Sequence, residues 1–235
     1  MRRGTARALR IGGVVPFTTT DYPGKLAAVL FLQGCPWRCA YCHNPHLQAG
    51  RSEHEHDWPQ TLRWLERRRG LLDAIVFSGG EPTAQPALAS AMRSVRRMGF
   101  AVGLHSGGAY PRRLAAVLPD IDWIGFDVKA PFGDYPALTG KGRSGAAACS
   151  SLDALLASGV HHEIRTTVHP ALTTSADLVA MADALAARGV TAWVLQPFRP
   201  NGCANQALAA AAAGVALDPA LLARLARRIP GLSIR

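Results

Sequence analysis

Three of the five cysteines in this 235-residue chain lie close together, at Cys35, Cys39 and Cys42. An odd total and this tight spacing make a poor disulfide framework. Thiolates are soft ligands, and zinc ions and iron–sulfur clusters are the groups that they bind in proteins. On a cubane of four irons, three cysteines leave one iron without a protein ligand, where a substrate can chelate. The spacing therefore predicts a metal centre within one loop.

Zinc is the alternative occupant of this loop. His43 and His46 follow the third cysteine closely, so a Cys3His zinc site is stereochemically conceivable. Such sites belong to small modules, however, and zinc would leave the motifs further along the chain unexplained. The sequence favours a cluster, and a zinc-dependent RNA-binding module that uses the net charge of +10 for phosphate contacts remains the alternative from another class.

Short apolar segments alternate with amphipathic helical segments along the chain. Strands are predicted at Ala27–Leu32, Ala74–Phe77, Ala101–His105, Trp123–Val128, Glu163–Val168 and Ala192–Gln196. Helices are predicted at Trp58–Arg69, Gln85–Met98, Pro111–Leu118, Gly145–Ala157, Ala176–Arg188 and Pro219–Arg228, with Gly99 and Gly189 as left-handed caps and the run Ala207–Ala213 as a further helix or its lead-in. Six β–α units in a row predict an α/β fold with a parallel sheet and outer helices. The pattern alone does not show whether the sheet closes.

A glycine-rich segment directly follows the second predicted strand, at the sheet edge where parallel α/β proteins bind their ligands. Gly79 and Gly80 let the backbone approach a ligand closely, and Glu81 either contributes charge or braces the loop. An ordinary strand-to-helix turn, in which Pro82 starts the helix, is the alternative.

Three charged residues are predicted near the ends of later strands. Asp127 and Lys129 are two positions apart on one strand, so their side chains point the same way. They are ligand contacts or a surface ion pair. Arg165 either orients the carboxylate of a ligand or pairs with Asp127 or Glu163.

The segment Gly34-Cys35-Pro-Trp-Arg-Cys39-Ala-Tyr-Cys42-His43-Asn44-Pro45 resembles the CxxxCxxC signature of the radical S-adenosylmethionine (SAM) superfamily. Its His-Asn-Pro ending is similar to that of glycyl-radical-enzyme activating proteins. Further motifs match in order and spacing: Ser78-Gly79-Gly80-Glu81-Pro82, Phe126-Asp127-Val128-Lys129, Arg165-Thr-Thr-Val-His169-Pro170 and Leu195-Gln196-Pro197-Phe198-Arg199-Pro200. Together they resemble anaerobic ribonucleoside-triphosphate reductase activating proteins and, more loosely, pyruvate formate-lyase activating enzyme, from about Ile11 to Pro200.

This resemblance implies a fold and a set of ligands. The fold would be a partial (β/α)6 TIM-like barrel, with the three cysteines holding a [4Fe–4S] cluster whose open iron chelates SAM. Cofactor-binding positions would be Tyr41, His43, Gly79, Gly80, Glu81, Asp127, Lys129, Arg165 and Arg199. Two positions depart from the pyruvate formate-lyase activator: Arg199 replaces a histidine that meets the nucleoside, and His105 replaces an aspartate that helps to bind a monovalent cation. No such cation site is predicted here.

The resemblance also implies an activity and partners. A one-electron donor such as flavodoxin would reduce the cluster, and SAM would be cleaved to a 5′-deoxyadenosyl radical. That radical would abstract hydrogen from a glycine of a glycyl radical enzyme, and the most similar activating proteins point to an anaerobic ribonucleotide reductase. We expect this partner enzyme to dock on the loop Pro131–Ser144. The alternative within the superfamily is an enzyme acting on a small molecule, such as 7-carboxy-7-deazaguanine synthase, whose cysteine region usually lacks the His-Asn-Pro.

The rest of the chain predicts one domain at 11–235 that follows a flexible basic arm at 1–10. No apolar run reaches the ~18 residues that span a bilayer, so we expect a cytoplasmic protein with no membrane partner. The 23 arginines and three lysines are scattered without an aromatic platform, which favours a solvated surface over nucleic-acid binding. Cys149 is expected to be a small buried hydrophobe, and Cys203 has no predicted role.

Overall fold

The computed structural model describes residues 9–50, 56–211 and 217–235. Within these ranges one sheet of eight strands runs in chain order. The strands are β1 (Ile11–Thr18), β2 (Ala27–Leu32), β3 (Ala74–Gly79), β4 (Ala101–Ser106), β5 (Trp123–Asp127), β6 (His161–Val168), β7 (Ala192–Pro197) and β8 (Gly231–Ile234). β1 is antiparallel to β2, and every other neighbouring pair is parallel. The predicted α/β class and parallel sheet are confirmed, and β1 and β8 are the two edges of the sheet.

The two edge strands are additions to the six predicted strands. β1 contains Gly12, Gly13 and Pro16, residues that lower strand propensity and are tolerated at a sheet edge. β8 has only four residues and follows Pro230 directly. Both strands therefore lack the apolar pattern from which the central strands are predicted.

The helices lie between the strands in the predicted order. They are α1 (Trp58–Glu66), α2 (Leu88–Arg97), α3 (Pro111–Val117), α4 (Tyr135–Thr139), α5 (Ser144–Ser158), α6 (Ser175–Ala186), α7 (Gln206–Ala210) and α8 (Pro219–Ala226). Side-chain caps fix several starts: Asp57 accepts from the backbone N–H of Gln60, and Thr174 forms a reciprocal capping box with Asp177. Gly99 and Gly189 have φ of 93° and 78°, which confirms the predicted left-handed caps. No helix of the described segments is long and apolar enough to cross a bilayer.

The start of the folded domain lies earlier than the sequence predicts. Leu9 is buried in the main core, and the backbone N–H of Arg10 donates to Oε1 of Gln85 over 2.8 Å. The amide of Gln85 donates back to the carbonyl oxygen of Arg10 and to that of Gln33. The helix α2 begins at Leu88 and not at the predicted Gln85, because Gln85 precedes Pro86 and adopts an extended conformation. The remainder of the predicted arm lies outside the described residues.

Both faces of the sheet are buried, which explains why the central strands are apolar without interruption. Outward residues such as Leu30, Phe77 and Phe126 pack against the helices in the main core. Inward residues form a second cluster of Tyr22, Ala27, Val29, Ala74, Val76 and Trp123. Since side chains alternate along a strand, the next inward positions towards the carboxyl ends of β3 to β6 are Ser78, His105, Asp127 and Arg165. The apolar inner cluster thus forms a floor beneath a polar layer.

Candidate active site

The carboxyl ends of the central strands surround a cavity of about 180 Å³. Its wall contains the predicted residues Cys35, Cys39, Tyr41, Cys42, His43, Gly79, Gly80, Glu81, Asp127, Lys129 and Arg165. Arg199 lies instead in an adjoining recess of about 570 Å³, which shares His43, His105, Asp127, Arg165 and Thr167 with the cavity. The parallel topology therefore brings to one rim residues that are far apart in the sequence.

The loop that carries the three cysteines is held on both sides by backbone hydrogen bonds. On one side, the N–H of Gly34 donates to the carbonyl oxygen of Leu47 over 2.8 Å. On the other, the N–H of Arg38 donates to the carbonyl oxygen of Thr139, at the end of α4, over 2.7 Å. The N–H of Cys42 closes a turn on the carbonyl oxygen of Cys39. The loop conformation is thus fixed by the protein itself.

The thiols of this loop lie in a desolvated environment. Burial raises the pKa of the Cys35 thiol to about 12 and also raises the pKa of Cys39. A bound metal must therefore displace the thiol protons, as thiolate ligation requires. Among the described residues, no three Cys, His, Asp or Glu side chains converge closely enough to hold one metal ion. The described side chains do not include a Cys3His grouping of the kind considered from the sequence.

The same residues fit a [4Fe–4S] cluster, because each thiolate of a cubane binds a different iron and the thiolates stand farther apart than around one ion. Three soft donors on one cavity wall suit this group. The hydroxyl of Tyr41 is buried in the same wall and has no hydrogen-bond partner among the described residues. It leaves one donor available to a group bound in the cavity.

Two glycines at the end of β3 are required by close backbone contacts, Gly79 with the end of β2 and Gly80 with the start of the cysteine loop. Gly79 has a φ of 117°, and a Cβ there would lie 2.3 Å from the backbone nitrogen of Leu32. A Cβ on Gly80 would lie 2.7 Å from the carbonyl oxygen of Gly34 and 2.9 Å from that of Leu47. The turn and the cysteine loop therefore touch through their backbones, and side chains are excluded between them.

Glu81 braces the rim of the cavity. Its Oε1 accepts from the hydroxyls of Thr83 and Ser106 over 2.5 and 2.8 Å and from the backbone N–H of Thr83, while Oε2 accepts from the N–H of Gly107. Burial raises the pKa of this carboxyl, and the four donors oppose the increase. Of the two predicted roles for Glu81, the hydrogen bonds favour the bracing one.

Asp127 joins two cations at the wall of the cavity. Nε of Arg165 donates to Oδ1 of Asp127 over 2.9 Å, and Nζ of Lys129 lies 3.4 Å from Oδ2. Burial on its own raises the pKa of Asp127, but the charges of Arg165 and Lys129 outweigh it and lower the pKa to about 2. Burial likewise lowers the pKa of Lys129, and the charge of Asp127 raises it well above the ordinary value. Asp127 and Lys129 are therefore ionised at neutral pH, and together with the guanidinium of Arg165 they carry a net charge of +1. Glu163, the other predicted partner of Arg165, pairs with Arg235 instead.

His105 lies in the polar layer as a neutral side chain. Its Nε2 donates to the carbonyl oxygen of Asp21 over 2.9 Å, and Nδ1 accepts from the hydroxyl of Ser78 over 3.3 Å. Burial and the charge of Arg165 lower its pKa to about 4. The imidazole ring of His105 packs edge-on against Trp123. This contact connects the polar layer to the apolar floor.

His43 and Phe198 connect the cysteine loop to the end of β7. The two rings stack with centroids 5.0 Å apart, and Nε2 of His43 donates to the carbonyl oxygen of Arg199 over 2.7 Å. Tyr41 and His169 pack edge-on against the same phenyl ring. The guanidinium of Arg199 is exposed and has no hydrogen-bond or ion-pair partner among the described residues.

Several residues of the site are missing from the sequence prediction. Trp37 lines the cavity and packs edge-on against the buried Tyr135, whose hydroxyl accepts from the backbone N–H of Lys129 over 2.9 Å. Thr83 and Ser106 complete the hydrogen bonds of Glu81. Trp37 has a signal, since it lies inside the cysteine motif. Tyr135 falls in the predicted docking loop Pro131–Ser144, but no motif marks Tyr135 itself.

Cys149 and Cys203 lie apart from the three cysteines of the loop. Both are partly exposed, so the prediction of a buried Cys149 is wrong: its sulfur accepts from the guanidinium of Arg188 over 2.9 Å. The sulfur of Cys203 lies 3.7 Å from the carbonyl oxygen of Asn205.

Comparison with known proteins assigns the chain to a class. The profile of the Radical SAM superfamily matches residues 29–185. A protein of Methanocaldococcus jannaschii, provisionally named glycyl-radical enzyme activating enzyme, is 30% identical over 200 residues, which cover 81% of this chain and 80% of that protein. The pyruvate formate-lyase-activating enzyme of Clostridium pasteurianum is 31% identical over 172 residues, or 71% of each chain. The chain therefore belongs to the radical SAM superfamily.

Solved structures agree on the fold. SuiB of Streptococcus suis, in a crystal structure with bound S-adenosylmethionine, superposes with a TM-score of 0.58 at 12% sequence identity. The match covers 86% of this chain and 47% of SuiB, so the chain spans about half the length of that protein. At this identity the likeness establishes the shared architecture alone.

Proposed function

We propose that this chain is a radical SAM activase that cleaves S-adenosylmethionine and installs a glycyl radical on an anaerobic ribonucleoside-triphosphate reductase. The observation that carries the proposal is the meeting of three thiols, a glycine turn and an Asp–Arg–Lys trio on one cavity wall. The two relatives named as activating enzymes support the glycyl radical enzyme as partner. The ribonucleotide reductase rests on the motif resemblance.

Cys35, Cys39 and Cys42 would hold a [4Fe–4S] cluster at the mouth of the cavity. When bound, the cluster would supply the one electron that splits the C5′–S bond of S-adenosylmethionine into methionine and a 5′-deoxyadenosyl radical. That radical would take a hydrogen atom from a glycine Cα of the partner and become 5′-deoxyadenosine. The chain itself binds, orients and shields these groups. The cysteine loop is suited to this, since hydrogen bonds to Leu47 and Thr139 fix its conformation.

The cavity presents complementary groups to S-adenosylmethionine. Lys129 and Arg165 provide positive charge for its carboxylate, and Asp127 provides negative charge for its ammonium or a hydrogen-bond acceptor for its ribose. Gly79 and Gly80 supply backbone that a ligand can approach without meeting a side chain. Tyr41 and His43 would lie beside the nucleoside of S-adenosylmethionine. The Tyr41 hydroxyl has no partner among the described residues and could donate a hydrogen bond to it.

The adjoining recess is the entrance that we assign to the partner's glycine segment. It opens directly on Asp127 and Arg165 and is walled further by Thr20, Gln196 and Arg199. No residue of 131–144 lines it, so the recess is a proposed docking place in addition to the predicted loop Pro131–Ser144. Arg199, with its guanidinium at the recess, would contact the partner segment rather than the nucleoside.

The test is an anaerobic activation reaction. The iron- and sulfide-reconstituted protein is mixed with an anaerobic ribonucleotide reductase, S-adenosylmethionine and reduced flavodoxin, and the glycyl radical is measured by electron paramagnetic resonance. We expect one 5′-deoxyadenosine per radical and no radical when the reductase glycine is changed to alanine. 5′-Deoxyadenosine without any protein radical would favour a small-molecule enzyme of the 7-carboxy-7-deazaguanine synthase kind. Stoichiometric zinc, no 5′-deoxyadenosine and salt-sensitive RNA binding would favour the RNA-binding alternative.

A further inference from the structure

A cluster of positive charges lies at the exposed edge of the cysteine loop. We call Arg38, Lys141 and Arg143 the Arg38 patch. All three side chains are exposed, and none forms an ion pair with a described carboxylate. The cysteine loop and the turn 140–143 are in contact, since a Cβ on Gly140 would lie 3.7 Å from the Cβ of Arg38.

The surroundings of the Arg38 patch add to its positive potential. In the segment 131–144 the single carboxylate is Asp134, which lies at the opposite end of α4. The 15-residue helix α5 begins at Ser144, so the positive end of its dipole points towards the patch. Arg143 adopts a left-handed φ of 62°, a conformation that glycine and asparagine reach at lower cost. Backbone geometry therefore does not account for an arginine there.

The patch is attached directly to the backbone that presents the thiols. Nη1 of Arg38 donates to the carbonyl oxygens of Cys35 and Trp37 over 2.7 and 2.9 Å. Ala40, next to Cys39, is exposed, so little protein covers the loop on this side. The recess assigned to the partner's glycine contains none of the three patch residues. A second protein can therefore reach the cysteine loop without entering the recess.

We propose that the Arg38 patch docks the acidic face of a flavodoxin-like electron donor, which reduces the metal centre through the exposed edge at Ala40, next to Cys39. This inference rests on the proposed function for the presence of the cluster. The step is a one-electron transfer: the donor flavin goes from the anionic hydroquinone to the neutral semiquinone, and the cluster is reduced by one electron. Opposite charges around the two redox groups would raise the encounter rate and orient the donor.

The experiment measures the rate of reduction of the reconstituted protein with two reductants. One is flavodoxin hydroquinone, and the other is photoreduced deazaflavin, a small neutral reductant that needs no docking surface. The test variant is Lys141→Glu/Arg143→Glu, which leaves Arg38 and the cysteine loop intact. The matched control is Arg224→Glu/Arg227→Glu, which makes the same charge change on exposed residues at the carboxyl end of α8. In this fold, helix carboxyl ends lie away from the strand ends that form the site.

The variant should lower the second-order rate constant with flavodoxin about tenfold or more at low ionic strength, and the difference should shrink as salt screens the charges. Reduction by deazaflavin should be unchanged, as should every rate of the control. Equal flavodoxin rates for the variant and the wild type would overturn the docking surface, while leaving the proposed function intact. An equal loss with both reductants would also overturn it, because the slower reduction would then have a cause other than docking of the donor. If the wild type takes up no cluster, the proposed function itself fails.

Discussion

The guanidinium of Arg165 lies over the backbone of Gly125, in the space that a side chain at that position would fill. A Cβ on Gly125 would lie 2.5 Å from Cζ of Arg165, and Nε of the same guanidinium donates to Asp127 over 2.9 Å. β5 and β6 are parallel neighbours in which Asp127 is in register with Arg165. A glycine inside the sheet thus makes room for the ion pair at its end.

Gly125→Ala should therefore displace Arg165 and disturb the charged trio. We expect a loss of about 1–3 kcal/mol in the free energy of unfolding from overpacking. The rate of 5′-deoxyadenosine formation should fall about 10–100-fold, because the carboxylate-binding cation moves. Urea unfolding and a 5′-deoxyadenosine assay measure the two effects. Gly133→Ala, at a position with no heavy atom within 4 Å of the added Cβ, is the control and should change neither. Full activity in Gly125→Ala would show that the position of Arg165 is unimportant.

Glu81→Ala should destabilise the protein by removing the acceptor for four donors. The hydroxyls of Thr83 and Ser106 and two backbone N–H groups would be left buried without it. We expect a loss of about 2–4 kcal/mol in the free energy of unfolding, and a smaller loss for Glu81→Gln, which keeps one acceptor oxygen. The exposed Glu66→Ala is the control, with an expected change below about 1 kcal/mol. Equal stability of Glu81→Ala and wild type would contradict the bracing role.

His105 should make the protein less stable in mild acid. Burial and the charge of Arg165 lower its pKa from 6.5 to about 4, so between these values the unfolded chain binds a proton that the folded one does not. Stability is therefore fully present above pH 6.5 and declines as the pH falls towards 4, by up to about 1.4 kcal/mol per pH unit. His105→Gln should reduce this slope when urea unfolding is followed across the range. His161→Gln, at an exposed position, should keep it. If the free energy of unfolding of His105→Gln and of the wild type changed in parallel with pH, the pH dependence could not be assigned to His105.

Two buried tyrosines should respond oppositely to loss of the hydroxyl. The Tyr41 hydroxyl has no partner among the described residues, so in the protein without its cluster Tyr41→Phe should leave the free energy of unfolding unchanged or raise it by up to about 1 kcal/mol. The Tyr135 hydroxyl accepts from the N–H of Lys129, and Tyr135→Phe should lower that free energy by about 1–2 kcal/mol. With S-adenosylmethionine bound to the reconstituted protein, Tyr41→Phe should lose affinity. Destabilisation by Tyr41→Phe in the cluster-free protein would mean that the hydroxyl already has a partner.

The central strands and the cysteine loop could be predicted because their signals are local. Ala27–Leu32 is predicted with the bounds that the structure has, since a strand buried on both faces is apolar throughout. The spacing of Cys35, Cys39 and Cys42 is contained in one loop. The edge strands β1 and β8 are not predicted. Glycine and proline interrupt the apolar pattern of β1, and β8 is only four residues long.

The supports of the site could not be predicted, because they depend on contacts between distant segments. Tyr135 is an unremarkable aromatic residue until α4 is packed against the cysteine loop. The need for glycine at position 80 arises from the carbonyl oxygens of Gly34 and Leu47, which the sequence does not place nearby. Arg165 likewise pairs with Asp127 because the register of β5 and β6 places the two residues side by side. Glu163, the other predicted partner, forms an ion pair with Arg235 instead.

The most direct test of the account is 5′-deoxyadenosine formation from S-adenosylmethionine by the anaerobically reconstituted, dithionite-reduced protein. We predict that the wild type binds about four irons and forms 5′-deoxyadenosine, and that Cys39→Ala forms none. A wild-type protein that keeps stoichiometric zinc, binds no iron and forms no 5′-deoxyadenosine would contradict the account.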